Sequence, residues 1–79
     1  MRKPIVVPDL GWPEIVLCVW YVQPGESVFA GDRVVELLLG SATFDVTAGE
    51  SGTLLEQCAW ADDVVVPGQI VGYVEQAPG

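Results

Sequence analysis

Apolar residues fall in short runs along the chain, separated by glycine and proline signals every eight to twelve residues, and no segment keeps a helical period for three turns. That pattern predicts an all-β sandwich or barrel. Strands are expected near Pro4 to Val7, Ile15 to Val22, Ser27 to Phe29, Arg33 to Leu39, Ala42 to Thr47, Thr53 to Ala59, Val64 to Val66 and Ile70 to Glu75. Gln23-Pro24-Gly25-Glu26 and Val66-Pro67-Gly68-Gln69 place proline and glycine at the centre of type II turns, where proline presets the first φ and glycine accepts the positive second one. Gly40-Ser41 reads as a two-residue hairpin turn between two strong strands.

The two halves of the chain resemble each other at an offset of 37 residues, so that Val28, Gly31, Val34 and Leu37 correspond to Val65, Gly68, Val71 and Val74. Such a repeat predicts two similar four-strand units related by a pseudo-two-fold axis, with the Gly40-Ser41 hairpin between them. Chance similarity among valine-rich strands is the alternative.

Composition narrows the partners. A chain of 79 residues is one domain, spanning residues 1–79, and at that size folding buries only about 60% of the unfolded surface. A hydrophobic fraction of 51% is enough for a thin core without metals or disulfides. No run approaches the ~18 apolar residues of a membrane span, and Ile15 to Val22 is too short and too β-branched for the core of a signal peptide. A soluble, unprocessed, cytoplasmic chain is expected. Eleven acids against three bases, with no histidine and a net charge of −8, argue against a nucleic-acid partner, because nothing could neutralise phosphates. The acids either face a basic protein surface or simply keep a small apolar domain soluble and monomeric.

Candidate chemistry is sparse. Cys18 and Cys58 lie inside apolar runs, far apart and without histidine, which excludes the usual zinc spacings. Buried free thiols are expected, with a disulfide left open. Asp62-Asp63, the one adjacent acid pair, falls at the turn equivalent to Gly25-Glu26 and reads as a solvated turn rather than a metal site. Glu50-Ser51-Gly52 is ordinary loop chemistry, and no acid–base or phosphate-binding apparatus is visible.

A run of residues then carries a family resemblance: Val7-Pro8-Asp9-Leu10-Gly11, Trp20-Tyr21-Val22, Pro24-Gly25-Glu26-Ser27-Val28, Gly31-Asp32, Glu36, Ala42-Thr43-Phe44-Asp45-Val46, Gly52, Gly68-Gln69-Ile70 and Val74-Glu75. These resemble the lipoyl and biotinyl carrier domains, most of all the lipoyl domains of 2-oxo acid dehydrogenase acyltransferases, without a gap from Gly25 to Glu75. The resemblance implies a flattened eight-stranded barrel, a barrel-sandwich hybrid of two four-stranded antiparallel sheets with quasi-two-fold symmetry. In that family the cofactor lysine stands at the tip of the central hairpin, as Asp-Lys-Ala or Met-Lys-Met. Here the tip reads Gly40-Ser41-Ala42, and the only lysine in the chain is Lys3. Lipoate and biotin are attached as amides to a primary amine, so neither is attachable at Ser41, and no cofactor is expected.

The resemblance therefore implies a non-enzymatic lipoyl-like domain that serves in protein interaction or assembly. Its partner surface would be Asp9, Leu10, Gly11, Trp12 and Glu14 with Gly40 to Ala42, facing a basic protein. The alternative is a carrier domain of a dehydrogenase or carboxylase system whose attachment site has been lost or replaced at Ser41. A fragment of an export adaptor fits less well, because those domains carry a long helical hairpin at the central turn. Trp12 is expected either to be an exposed contact anchor or to fold back over the barrel. Trp20 is expected in the core, and Trp60 partly exposed.

Overall fold

The computed structural model describes residues 1–77, and these form eight strands: β1 (Arg2–Val6), β2 (Ile15–Trp20), β3 (Ser27–Val28), β4 (Arg33–Leu39), β5 (Ala42–Thr47), β6 (Gly52–Gln57), β7 (Val64–Val65) and β8 (Ile70–Gln76). They make two four-stranded sheets, ordered β1-β8-β6-β3 and β5-β4-β2-β7, and every neighbouring pair is antiparallel. The expected strands are all present, with ends displaced by up to two residues. β1 stops at Val6 because Val7 turns its N–H to Gln69 O and its C=O to Gly68 N, both at 2.8–2.9 Å. Pro4 is tolerated inside β1 because β1 is a sheet edge, where the missing N–H breaks no ladder. Among the described residues no helix is long and apolar enough to cross a membrane.

The inner faces of the two sheets share one aliphatic core of Ile5, Val7, Ile15, Leu17, Val28, Val34, Val35, Leu37, Ala48, Leu54, Ala59, Val65, Val71 and Val74. Strand alternation explains most of this set, since residues two apart point to the same face. The adjacent pair Val34 and Val35 is buried together because the ladder slips between Arg33 and Val35, and such a bulge turns two successive residues inward. Fully burying each of the valine, leucine and isoleucine side chains stabilises the fold by about 1.5–3 kcal/mol relative to exposure.

The 37-residue offset is a real two-fold. Val28 and Val65, Val34 and Val71, and Leu37 and Val74 are all buried, and Gly31 and Gly68 have nearly equal positive φ, 91° and 87°. Even single hydrogen bonds repeat. Trp20 Nε1 donates to Ala59 O at 2.9 Å, and its image, Gln57 Nε2, donates to Val22 O at 3.1 Å. Trp20 thus packs against the core with its one polar atom satisfied, while Trp60 is largely exposed.

Four corners carry the chain from one sheet to the other, at residues 23–26, 29–32, 60–63 and 66–69, each closed by a backbone bond from the fourth residue to the first. In each, the fourth side chain also accepts the N–H of the first residue: Glu26 from Gln23, Asp32 from Phe29, Asp63 from Trp60 and Gln69 from Val66. Three of the acids are therefore corner clamps. The third position has positive φ throughout, supplied by Gly25, Gly31 and Gly68 but at 60–63 by Asp62, with φ 74°. Asp62-Asp63 is thus a turn element, and the described residues hold no cluster of three or more candidate metal ligands.

The expectation of buried thiols is corrected. Both cysteines are free, but Cys58 is exposed and Cys18 only partly buried. Cys18 sits where the β2–β4 register slips between Leu17 and Val19, which leaves it off the inner face. Cys58 lies one residue beyond β6.

Asp62 is the one non-glycine residue held at positive φ among the described residues, a conformation that costs an L-residue roughly 1–2 kcal/mol, less for aspartate. Asp62→Gly is expected to raise stability by ~0.5–1 kcal/mol and the melting temperature by a few degrees. Thermal unfolding followed by circular dichroism checks this; an unchanged or lower midpoint contradicts it.

Candidate functional site

Seven connections join the eight strands, and only the one between β4 and β5 links neighbours within a single sheet. That connection is Gly40-Ser41, closing on the pair Leu39 and Ala42. Gly40 has φ 62°, as the first central residue of a type II′ hairpin turn requires. Ser41 and Ala42 are exposed at the tip.

The segment between β1 and β2, residues 7–14, is four residues longer than its two-fold image between β5 and β6, residues 48–51. The additional length brings Trp12 onto the hairpin. A Cβ added to Gly40 would lie 2.8 Å from Trp12 Cζ2 and 3.4 Å from Cη2, so the indole rests where only glycine leaves room. Trp12 nonetheless keeps 46% of its surface exposed. It covers the turn rather than the barrel and still presents half of a large apolar face to solvent. Asp9 shapes the same loop, its Oδ1 accepting the Gly11 N–H at 3.1 Å while Gly11 takes a φ of 69°. Leu10 packs against the core, and Glu14 is exposed where the loop enters β2. The residues singled out from the sequence, Asp9 to Glu14 and Gly40 to Ala42, thus form one end of the sandwich.

The only lysine does not belong to that end. Lys3 lies in β1 opposite Val74, beside a groove lined also by Ile5, Val46, Gly49 and Glu50. The hairpin itself contains no amine side chain.

A polar cluster on the outer face of the hairpin sheet was not anticipated. Glu36 and Asp45 stand directly opposite each other on β4 and β5, a like-charge pairing that destabilises a sheet unless something lies between. Tyr21 fills that place, its hydroxyl 3.0 Å from Glu36 Oε2 and 3.2 Å from Asp45 Oδ1, able to donate its one proton to either. Arg33 completes the arrangement, 4.7 Å above the Tyr21 ring and 3.6 Å from Asp45 Oδ2. Counting outward from a two-residue turn at Gly40-Ser41 would have set Glu36 opposite Asp45; nothing in the strand pattern pointed to Tyr21. Partial burial, with the two carboxylates bonded to its hydroxyl, pushes the Tyr21 pKa up to about 12.

Comparison with known proteins fits this geometry. A biotin/lipoyl family profile, described as biotin-requiring enzyme, matches residues 3–74, and the chain belongs to that family. It is 34% identical over 77 residues, 95% of its length, to the dihydrolipoyllysine-residue succinyltransferase component of the 2-oxoglutarate dehydrogenase complex of Bacillus subtilis. Identity to the component of the same name from Staphylococcus saprophyticus is 30% over 80 residues, 92% of the chain. The chain spans only 18% and 19% of the length of these two relatives. The solution structure of the lipoyl domain of the 2-oxoglutarate dehydrogenase complex from Azotobacter vinelandii shares the fold, with a TM-score of 0.74 and 22% identity, covering 92% of this chain and 99% of that one.

Because the Tyr21 pKa is raised from 10.0 to about 12 in the folded chain, its contribution to stability is complete below pH 10 and is lost as the pH rises towards 12. Denaturant unfolding at a series of alkaline pH values should show a decline across that window that is shallower in Tyr21→Phe. An equal decline in both chains contradicts the assignment.

Proposed function

We propose that this chain is a lipoyl-type domain that carries no amide-linked cofactor and acts as a protein-interaction or assembly module. One observation carries the reading. The hairpin tip is built from Gly40, Ser41 and Ala42, and an amide to lipoate or biotin needs a primary amine that this turn does not offer. The residues at the tip therefore do not fit the group that the family name implies, and a serine hydroxyl would give only a labile ester. What the domain still offers is the surface around the tip, where Trp12 is half exposed and anchored on Gly40. A rigid aromatic of this kind supplies large contact area at low entropic cost. The net charge of −8 favours a partner with a basic surface. Its relatives are succinyltransferase components of 2-oxoglutarate dehydrogenase complexes, and a partner within an assembly of that kind suits the reading.

Intact mass of the protein purified from its native host, grown with excess lipoate and biotin, tests this. A mass equal to the bare chain is expected. An adduct mapping to Ser41 would overturn the reading.

A further inference from the structure

The quasi-two-fold symmetry supplies an internal control for the surface, because every outward-facing position on one sheet has an image with the same backbone geometry on the other. On the hairpin sheet one outer row runs across all four strands: Val64 pairs with Val16, Val16 with Leu38, and Leu38 with Thr43. Its image on the other sheet pairs Ser27 with Thr53, Thr53 with Glu75, and Glu75 with Arg2. The first row is apolar in three of its four positions, and the second is polar in all four. Backbone geometry cannot account for the difference, since the two rows share the same register.

The apolar row is also open to solvent. Val64 is 58% exposed and Val66, two residues on, 51%, while Val16 and Leu38 are partly exposed. Leu38 lies one residue before the pair that closes the Gly40-Ser41 turn, so the row runs up to the site end of the sandwich. Acids surround it: Glu14 at the entry to β2, Asp62 and Asp63 before β7, and Glu36 and Asp45 one row further from the tip. Of the bases, only Arg33 reaches this rim, where Asp45 already pairs with it and the Tyr21 ring lies against it. Arg2 and Lys3 are on β1 in the opposite sheet.

We propose that the row Val64, Val16 and Leu38 is a docking face for a protein partner that presents an apolar strip flanked by lysine or arginine. This rests on the reading of the domain as an interaction module and names the surface that such a module uses. Charge selects the occupant: an acidic rim around an apolar strip attracts a basic rim and repels a second copy of a chain of net charge −8.

The two-fold also dictates the substitutions, because each position can take the residue that its image already holds. Val16→Thr, Leu38→Glu and Val64→Ser together convert the apolar row into the polar one. The probe is a short peptide of alternating leucine and lysine, with one of alternating serine and lysine as the charge-matched control, titrated while amide shifts are recorded by NMR. The leucine peptide should shift the amides of Val16, Leu38, Val64 and Val66, and the triple variant should bind it at least about tenfold more weakly. Should the triple variant fail to fold, Val64→Ser alone, at an exposed edge position, should weaken binding in the same direction. Equal binding of both peptides, shifts confined to the opposite sheet, or concentration-dependent shifts of the row in the free protein, which would make a second copy the occupant, each overturn the proposal. An adduct on Ser41 would overturn the functional reading and leave this docking result standing; loss of docking with a bare intact mass would do the reverse.

Discussion

The structure depends on getting the chain from one sheet to the other. Six of the seven connections cross between sheets, and four of those crossings are four-residue corners with one residue at positive φ and a side-chain clamp from the fourth position. A corner this tight leaves no slack, so it sets the register of the strands on both sides. Register in turn decides which face of each strand meets the core, because a slip of one residue would expose the entire aliphatic set. With a core of fourteen buried side chains among the described residues, a domain of this size has little other stability to lose. The corner acids Glu26, Asp32 and Asp63 are thus structural first.

Given those corners, the place of the site follows. The β4–β5 hairpin is the one connection among the described residues that stays within its sheet. The longer of the two equivalent loops lies over it, with Trp12 on Gly40, and the outer face next to it is apolar where its image is polar. These two departures from symmetry lie at the hairpin end of the sandwich. Symmetry describes what the fold needs, and the departures mark where the surface is put to other use.

Much of this was legible in the sequence. The strands, the two proline-glycine corners and the 37-residue repeat could be read because alternation and turn chemistry are local, and the structure reproduces them with matched burial and matched φ at Gly31 and Gly68. The hairpin was legible for the same reason. Other features depend on distance in space and were not. The corner at 29–32 has no proline to announce it, the burial of both Val34 and Val35 arises from a register slip, and Cys58 looked buried from its apolar neighbours although it lies past the end of its strand. Tyr21 between Glu36 and Asp45 brings together three strands' worth of sequence that no local pattern connects. For Trp12 the sequence left two readings open, an exposed contact anchor or an indole folded back over the barrel; the indole packs on the Gly40 turn instead of the barrel and stays half exposed.

Central to the account is the proposal that this domain has a carrier-type scaffold whose hairpin tip, Gly40-Ser41-Ala42, offers no amine for attachment. Restoring that amine is the most direct test. The variant Ser41→Lys, co-expressed with a lipoate ligase and supplied with lipoate, is expected to gain a single lipoyl amide at residue 41, read as an increase in intact mass that peptide mapping places at the hairpin. A folded Ser41→Lys chain that stays at its bare mass, or one that is modified at Lys3 instead, would contradict the account.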